Sequence, residues 1–196
     1  MKPPFRFEFK FPRNYEVKVL NSAPPLHPLE KLYHYPVELE EGDRSGVYVR
    51  IEPGQAPAWR GFFALGFESD RVIQAAYSCP DRDSVCIVSG GYAYVVKATD
   101  PSAWFRVEQR PVIEIRALPE PGLLLFAGFT TITAVGRAGI AWTTQRLSWE
   151  GISIVEITGQ KLLGTGWDAL TDKNVPFEVD LLSGESQGGA RPRSQG

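Results

Sequence analysis

VIEIRALPEPGLLLFAGFTTITAVGRAGIAW, residues 112–142, decides the fold class. Val112, Glu114 and Arg116 alternate with Ile113 and Ile115, the period of a strand with unlike faces. Pro119-Glu120-Pro121-Gly122 then breaks the chain, since Pro fixes φ and Gly accepts positive φ. Leu123 to Ala127 is a short continuous apolar run, the pattern of a strand covered on both faces. After Gly128, Phe129 to Val135 is rich in β-branched residues suited to a pleated surface. Gly136 to Gly139 turns again, and Ile140-Ala141-Trp142 opens a fourth strand.

The same grammar recurs on both sides. Upstream, Val72 to Tyr77 is a strand, Cys79 to Ser84 a turn and Val85 to Val88 a buried run. Gly90 follows, then Tyr92 to Val96, a turn over Thr99 to Ser102, and Trp104. Gly90 and Trp104 are 14 residues apart, as are Gly128 and Trp142, and Gly128 falls 38 after Gly90. Downstream come Ile152 to Ile157, a turn at Thr158-Gly159, a run Lys161 to Leu163, and Gly166, another 38 residues on. There Trp167 to Pro176 is expected to form a loop before a strand over Phe177 to Leu181. A further unit is suggested ahead of these by Tyr35 to Leu39, a polar turn over residues 40–46, Val47 to Ile51, Gly54 and Trp59.

Four short strands with a period near 40 residues are typical of propeller blades. Residues 72–184 resemble blades of the quinoprotein-like or WD-type β-propellers. The phrase Phe177-Glu-Val-Asp180-Leu-Leu-Ser183-Gly184 is similar to the Asp-x-x-Thr-Gly phrase that such blades carry. A Trp-Asp blade ending and a second Asp-x-x-Ser/Thr-Gly are both missing, so the resemblance implies a fold but no quinone cofactor. The expected class is therefore all-β, with repeated four-stranded, blade-like antiparallel units in a propeller-like array. The alternative is a β-sandwich made of successive hairpins.

At 196 residues the chain suits one domain, with a 43% hydrophobic and 12% aromatic content able to furnish a core. Sixteen prolines and 19 glycines, scattered between short apolar runs, fit an all-β fold. A net charge of −2 argues against general nucleic-acid binding. No apolar run approaches the ~20 residues of a membrane span. With no apolar signal stretch at the start, a soluble cytoplasmic protein is expected.

Phe5, Phe7, Phe9 and Phe11 alternate with Arg6, Glu8 and Lys10, a half-buried strand. It is expected to complete a sheet near the C-terminal unit, which lacks a closing Trp strand. Asn14 to Leu20 is a candidate partner for it. Leu29 to His34 could form a helical turn before Pro36. Residues 1–182 are expected to form the domain, and 183–196, SGESQGGARPRSQG, a flexible polar tail. Arg191 and Arg193 in that tail most simply solvate it.

Candidate chemistry is sparse. His27 and His34 lack the further ligands that a zinc site needs. Cys79 and Cys86 flank a turn, and Cys86 lies in an apolar run; structural, reduced thiols are expected. Asp168, Asp172, Asn174, Glu178 and Asp180 make an acidic stretch, but Lys173 interrupts it and the spacing departs from a calcium loop. No phosphate loop or nucleophile elbow is present. Neither a metal nor a cofactor is expected.

Trp59, Trp104 and Trp142 recur with the repeat and are expected in the core. Trp149 and Trp167 fall in connections beside Asp168 and Asp172, where large side chains can anchor an interface. The leading functional expectation is thus a non-enzymatic protein-binding or scaffold module using loops at one end of its sheets. Its binding residues would be Trp149, Trp167, Asp168 and Asp172, with a protein as partner. The alternative is a hydrolase or lyase acting on a small or carbohydrate substrate through carboxylates gathered from separate loops.

Overall fold

The computed structural model describes residues 4–25, 28–38, 45–68 and 72–190. His27, Arg191, Arg193 and most of the expected turn over residues 40–46 lie outside them. Among the described residues there is no helix, and 17 strands form four sheets of four to five strands. The chain divides into two compact units, Met1–Pro111 and Val112–Gly196.

The first unit holds β1 (Arg6–Glu8), β2 (Tyr15–Leu20), β3 (Leu32–Tyr35), β4 (Gly46–Pro53) and β5 (Trp59–Ala64). β6 (Gln74–Ser78), β7 (Ser84–Ser89), β8 (Tyr92–Lys97) and β9 (Trp104–Arg106) follow. They form two sheets, ordered β2-β4-β5-β3 and β1-β6-β7-β8-β9. β7, SVCIVS, is buried along its whole length, as its unbroken apolar run requires. Val49, Ile51 and Phe63 meet Ala76, Ile87, Tyr94 and Val96 in one core. Tyr35 stacks on Phe63, with ring centres 4.7 Å apart. The Trp59 indole nitrogen donates to the Ala98 carbonyl at 2.7 Å. Cys79 and Cys86 are free and buried.

Three expectations for this unit need correction. β1 does not complete a C-terminal sheet; it pairs in parallel with β6, Phe7 opposite Ala76. Phe5 and Phe9 pack on the first unit's core, and the Phe11 amide donates to the buried Ser78 hydroxyl at 2.8 Å. Strand alternation reports a buried face but not the strand that will lie beside it. β2 accordingly pairs with β4 instead of with the N-terminal strand. The expected helical turn is partly β3, which runs parallel to β5 and sets Tyr33 edge-on against Trp59 at 5.7 Å. Burial of alternate aromatics there outweighs local helical preference.

The second unit contains β10 (Glu114–Leu118), β11 (Leu123–Ala127), β12 (Ile132–Gly136) and β13 (Gly139–Thr143). It continues with β14 (Ile152–Thr158), β15 (Lys161–Asp168), β16 (Lys173–Asp180) and β17 (Ser186–Gly188). Each group of four is an antiparallel meander in chain order. Leu125, Ala134 and Trp142 of one sheet pack with Ile152, Leu162, Phe177 and Val179 of the other.

The loop expected over residues 167–176 is instead the end of β15, a turn at residues 169–172 and the start of β16. Pro176 sits inside β16 because its carbonyl points outward and accepts from the Gly189 amide. A residue's N–H and C=O share a side in a strand, so the missing donor faces the place where β17 has ended. Residues 186–188, placed by sequence in a polar tail, form β17 against β16, and Ala190 is buried.

Candidate functional site

At one end of the second unit, backbone hydrogen bonds tie two connections to each other and one of them to the strand that leads into a third. Residues 128–131 join β11 to β12, residues 144–151 lead from β13 to β14, and residues 169–172 close the β15–β16 hairpin. The Gly151 amide donates to Phe129 at 2.9 Å and the Leu147 amide to Thr130 at 2.8 Å. The Trp149 amide donates to the Trp167 carbonyl at 2.9 Å, and the Ser148 hydroxyl to the Gly151 carbonyl at 2.7 Å. Gly166 makes room for this connection: any Cβ there would strike Ser148 at 2.8 Å and the Leu147 carbonyl.

The four residues singled out from sequence lie together here. Trp149 is on the 144–151 connection, with the Arg146 guanidinium 4.7 Å from its ring centre. Trp167 lies within β15 rather than in an irregular connection, and its indole donates to Asp172 Oδ1 at 3.1 Å. Asp172 takes a left-handed φ of 52° in the turn. Asp168, the last residue of β15, is buried and accepts from the Thr171 hydroxyl at 2.7 Å and the Leu170 amide at 3.3 Å.

The Thr171 hydroxyl is the first cause holding the Asp168 carboxyl below the ordinary aspartate range. Burial opposes it, while the Leu170 and Thr171 amides and the Trp149 side chain add to the lowering. This carboxylate is spent on fixing the hairpin. Among the described residues, no group of three or more His, Cys, Asp or Glu is placed to hold a metal ion.

Sequence reasoning missed Phe129, Leu170 and Arg146. Phe129 opens a β-branched run and looks like a strand residue, yet β12 begins only at Ile132. It stands 43% exposed and Leu170 62%, with Trp149 at 36%. The signal for Leu170 was its isolation between turn residues, where it has no strand to face inward from.

The first unit repeats the construction. The connection from β5 to β6 donates from Gly66 to Ser89 and from Phe67 to Gly90, each at 3.0 Å. Gly90 plays the part of Gly166, since a Cβ there would strike Leu65 and the Phe67 carbonyl at 2.7 Å. Phe67 meets Tyr92 edge-on at 5.8 Å, and the Arg106 guanidinium lies 5.1 Å from the Tyr92 ring centre. Both units therefore place aromatic rings beside a guanidinium where one sheet hands over to the next.

No protein-family model matches the chain, and no curated protein matches it in sequence. No helix among the described residues is long and apolar enough to cross a membrane.

Proposed function

We propose that this protein is a non-enzymatic binding module that docks a protein partner at the loop end of its second unit. One observation carries the reading: Phe129 and Trp149 stand exposed on two loops that backbone hydrogen bonds tie together, and Leu170 stands exposed on the hairpin whose first strand accepts from the Trp149 amide. Large apolar side chains on a rigid frame lose little freedom on binding and gain much by burial. Arg146 lies over Trp149, and Asp172 and Lys173 follow Leu170 in the chain, polar residues of the kind that rim an interface. In this reading the blade-like sheets serve as scaffold and the loops as the contact surface. Two free, buried thiols accord with action in a reducing compartment such as the cytoplasm.

The test is retention of partners from native lysate on immobilised wild type, with Trp149→Ala and Leu170→Asp as controls. A partner identified on wild type should then be purified and titrated calorimetrically against all three proteins. The expected result is at least about tenfold weaker binding for each variant, the size of a central anchor. Equal affinity for all three would refute the surface, and turnover of a captured small molecule would refute the class.

A further inference from the structure

β13 ends its sheet, and among the described residues no strand pairs with its outer side. Its inner side is used: the Thr144 amide donates to Ile132 at 2.9 Å, which turns the Thr143 N–H and C=O outward. Proteins ordinarily close such an edge with charges or proline. The neighbouring edges β10 and β14 carry Glu114 and Arg116, and Glu156, whereas β13 reads Gly-Ile-Ala-Trp-Thr and is interrupted by a bulge at Ala141 without a charge or proline. Ile140 on it is 52% exposed.

Thr143, the last residue of β13, lines an open groove of about 770 Å³ together with Gln145 and residues of β16, β17 and their connection. Glu178, Asp180 and Glu185 contribute three carboxylates to its lining, and among the described residues no Lys or Arg does. Lys161 reaches Glu178 at 2.6 Å from outside the lining.

We propose that this groove receives an extended, basic polypeptide segment, which adds to β13 as a further strand. The edge supplies main-chain hydrogen bonds, and every second side chain of the added strand points toward one wall. Lysine or arginine at those alternate positions meets Glu178 and Glu185. The groove takes Gln145 from the connection that carries Trp149 but none of the exposed loop residues Phe129, Trp149 and Leu170, so variants at those residues tell the two proposals apart.

The probe is an eight-residue, end-blocked peptide alternating lysine and threonine, titrated into isotopically labelled protein. Two controls accompany it: the glutamate–threonine counterpart, and the lysine peptide with alternate backbone amides methylated. The lysine peptide should shift the Ala141 and Thr143 amide resonances, and both controls should leave them unmoved. E178Q combined with E185Q should weaken the lysine peptide about fivefold, while Trp149→Ala should leave its binding unchanged. Both Gln substitutions are at surface carboxylates, and Asp180, which fixes the adjoining turn, is kept. Equal shifts with the methylated peptide, unmoved Thr143 signals, or an unaltered affinity in the double variant would each overturn the proposal.

Discussion

The Trp142 indole donates a 2.9 Å hydrogen bond to the carbonyl of Leu181, the residue that follows β16. Trp59 does the same to Ala98, the residue that follows β8, and the separation is 39 residues in both cases. In each unit a Trp on the last strand before the connection is thus tied to the third strand of the next meander. The bond is buried, so its loss leaves a carbonyl without water or partner. Trp142→Phe keeps most of the ring and should cost about 1–3 kcal/mol. Trp142→Ala adds a cavity and should cost about 3–5 kcal/mol. Urea unfolding at constant m-value measures both, and a Phe variant within about 0.5 kcal/mol of wild type would show that the indole bond adds nothing.

Gly184 should tolerate no side chain. It has a φ of 74°, and a Cβ there would lie 2.7 Å from the Trp142 ring. Asp180 holds the same turn, accepting at Oδ1 from the Leu182 and Ser183 amides, each at 2.9 Å. Gly184→Ala combines left-handed strain with overpacking, an expected loss of roughly 2–4 kcal/mol. Thermal unfolding tests it, and an unchanged midpoint would mean that Trp142 moves aside freely.

The spacing of Gly90 and Gly166 was visible in the sequence because it has a steric cause that acts twice. Each glycine admits the connection arriving from the preceding sheet. The Asp180-to-Gly184 phrase was visible for a like reason, as a turn closing on Trp142. Strand membership of Val85 to Val88 and Leu123 to Ala127 followed from uniform burial, which only a covered strand requires. Pairing partners were not visible: Phe5 to Phe11 show a buried face, but the edge of β6 that receives them has no mark of its own. The strands around Trp167 were hidden because their residues alternate weakly, and the hairpin is fixed by Asp168 and Thr171 after it forms. Trp149, Trp167, Asp168 and Asp172 could be grouped from proximity in sequence, whereas Phe129 is brought to them by the folded chain, through the Gly151 and Leu147 hydrogen bonds to its loop.

Removal of residues 1–12 should destabilise the first unit rather than trim an end. It strips β1 from β6, takes Phe5, Phe9 and the buried Phe11 from the core, and leaves the Ser78 hydroxyl without the amide it accepts from. The bared β6 edge also invites association between chains. Phe11→Ala alone should cost about 3–5 kcal/mol. Calorimetry and light scattering on both proteins check this, and wild-type melting of the truncated chain would contradict it.

The Glu30 carboxylate should be needed to keep two arginines side by side. Arg50 and Arg60 are directly opposed across β4 and β5, an arrangement that is unfavourable for like charges. Glu30 accepts from Arg50 Nη2 at 2.7 Å, and Glu52 pairs with the same guanidinium and with Lys18 at 2.6 Å. Arg60 is buried and donates to the Pro25 and Glu30 carbonyls, each at 2.6 Å. Glu30→Gln should cost about 1–3 kcal/mol, and Glu52→Gln, at the more exposed position, should cost less. Urea midpoints rank them, and the reverse order would show that Glu52 carries the load.

Asp168 should contribute to stability near neutral pH and lose that contribution in acid. Its carboxyl lies below the ordinary aspartate value of 3.8, chiefly because the Thr171 hydroxyl bonds to the charged form. A group whose pKa is depressed by folding stabilises the native state above the unfolded-chain value. That stabilisation disappears as pH falls through the lower, native value. Asp180 is lowered too, first by the Ser183 amide, so the acid limb has more than one source. Burial acts most strongly on Asp81 and raises it, but hydrogen bonds from Lys97, Ser84 and the Asp83 amide together outweigh it, so Asp81 is lowered as well. In Asp168→Asn the urea midpoint should therefore start lower at neutral pH and decline less steeply below about pH 4, without becoming flat. Midpoints measured from pH 6 to 2 for wild type and variant test this, and two parallel curves would mean that the Asp168 carboxylate is no better held in the folded chain than in the unfolded one.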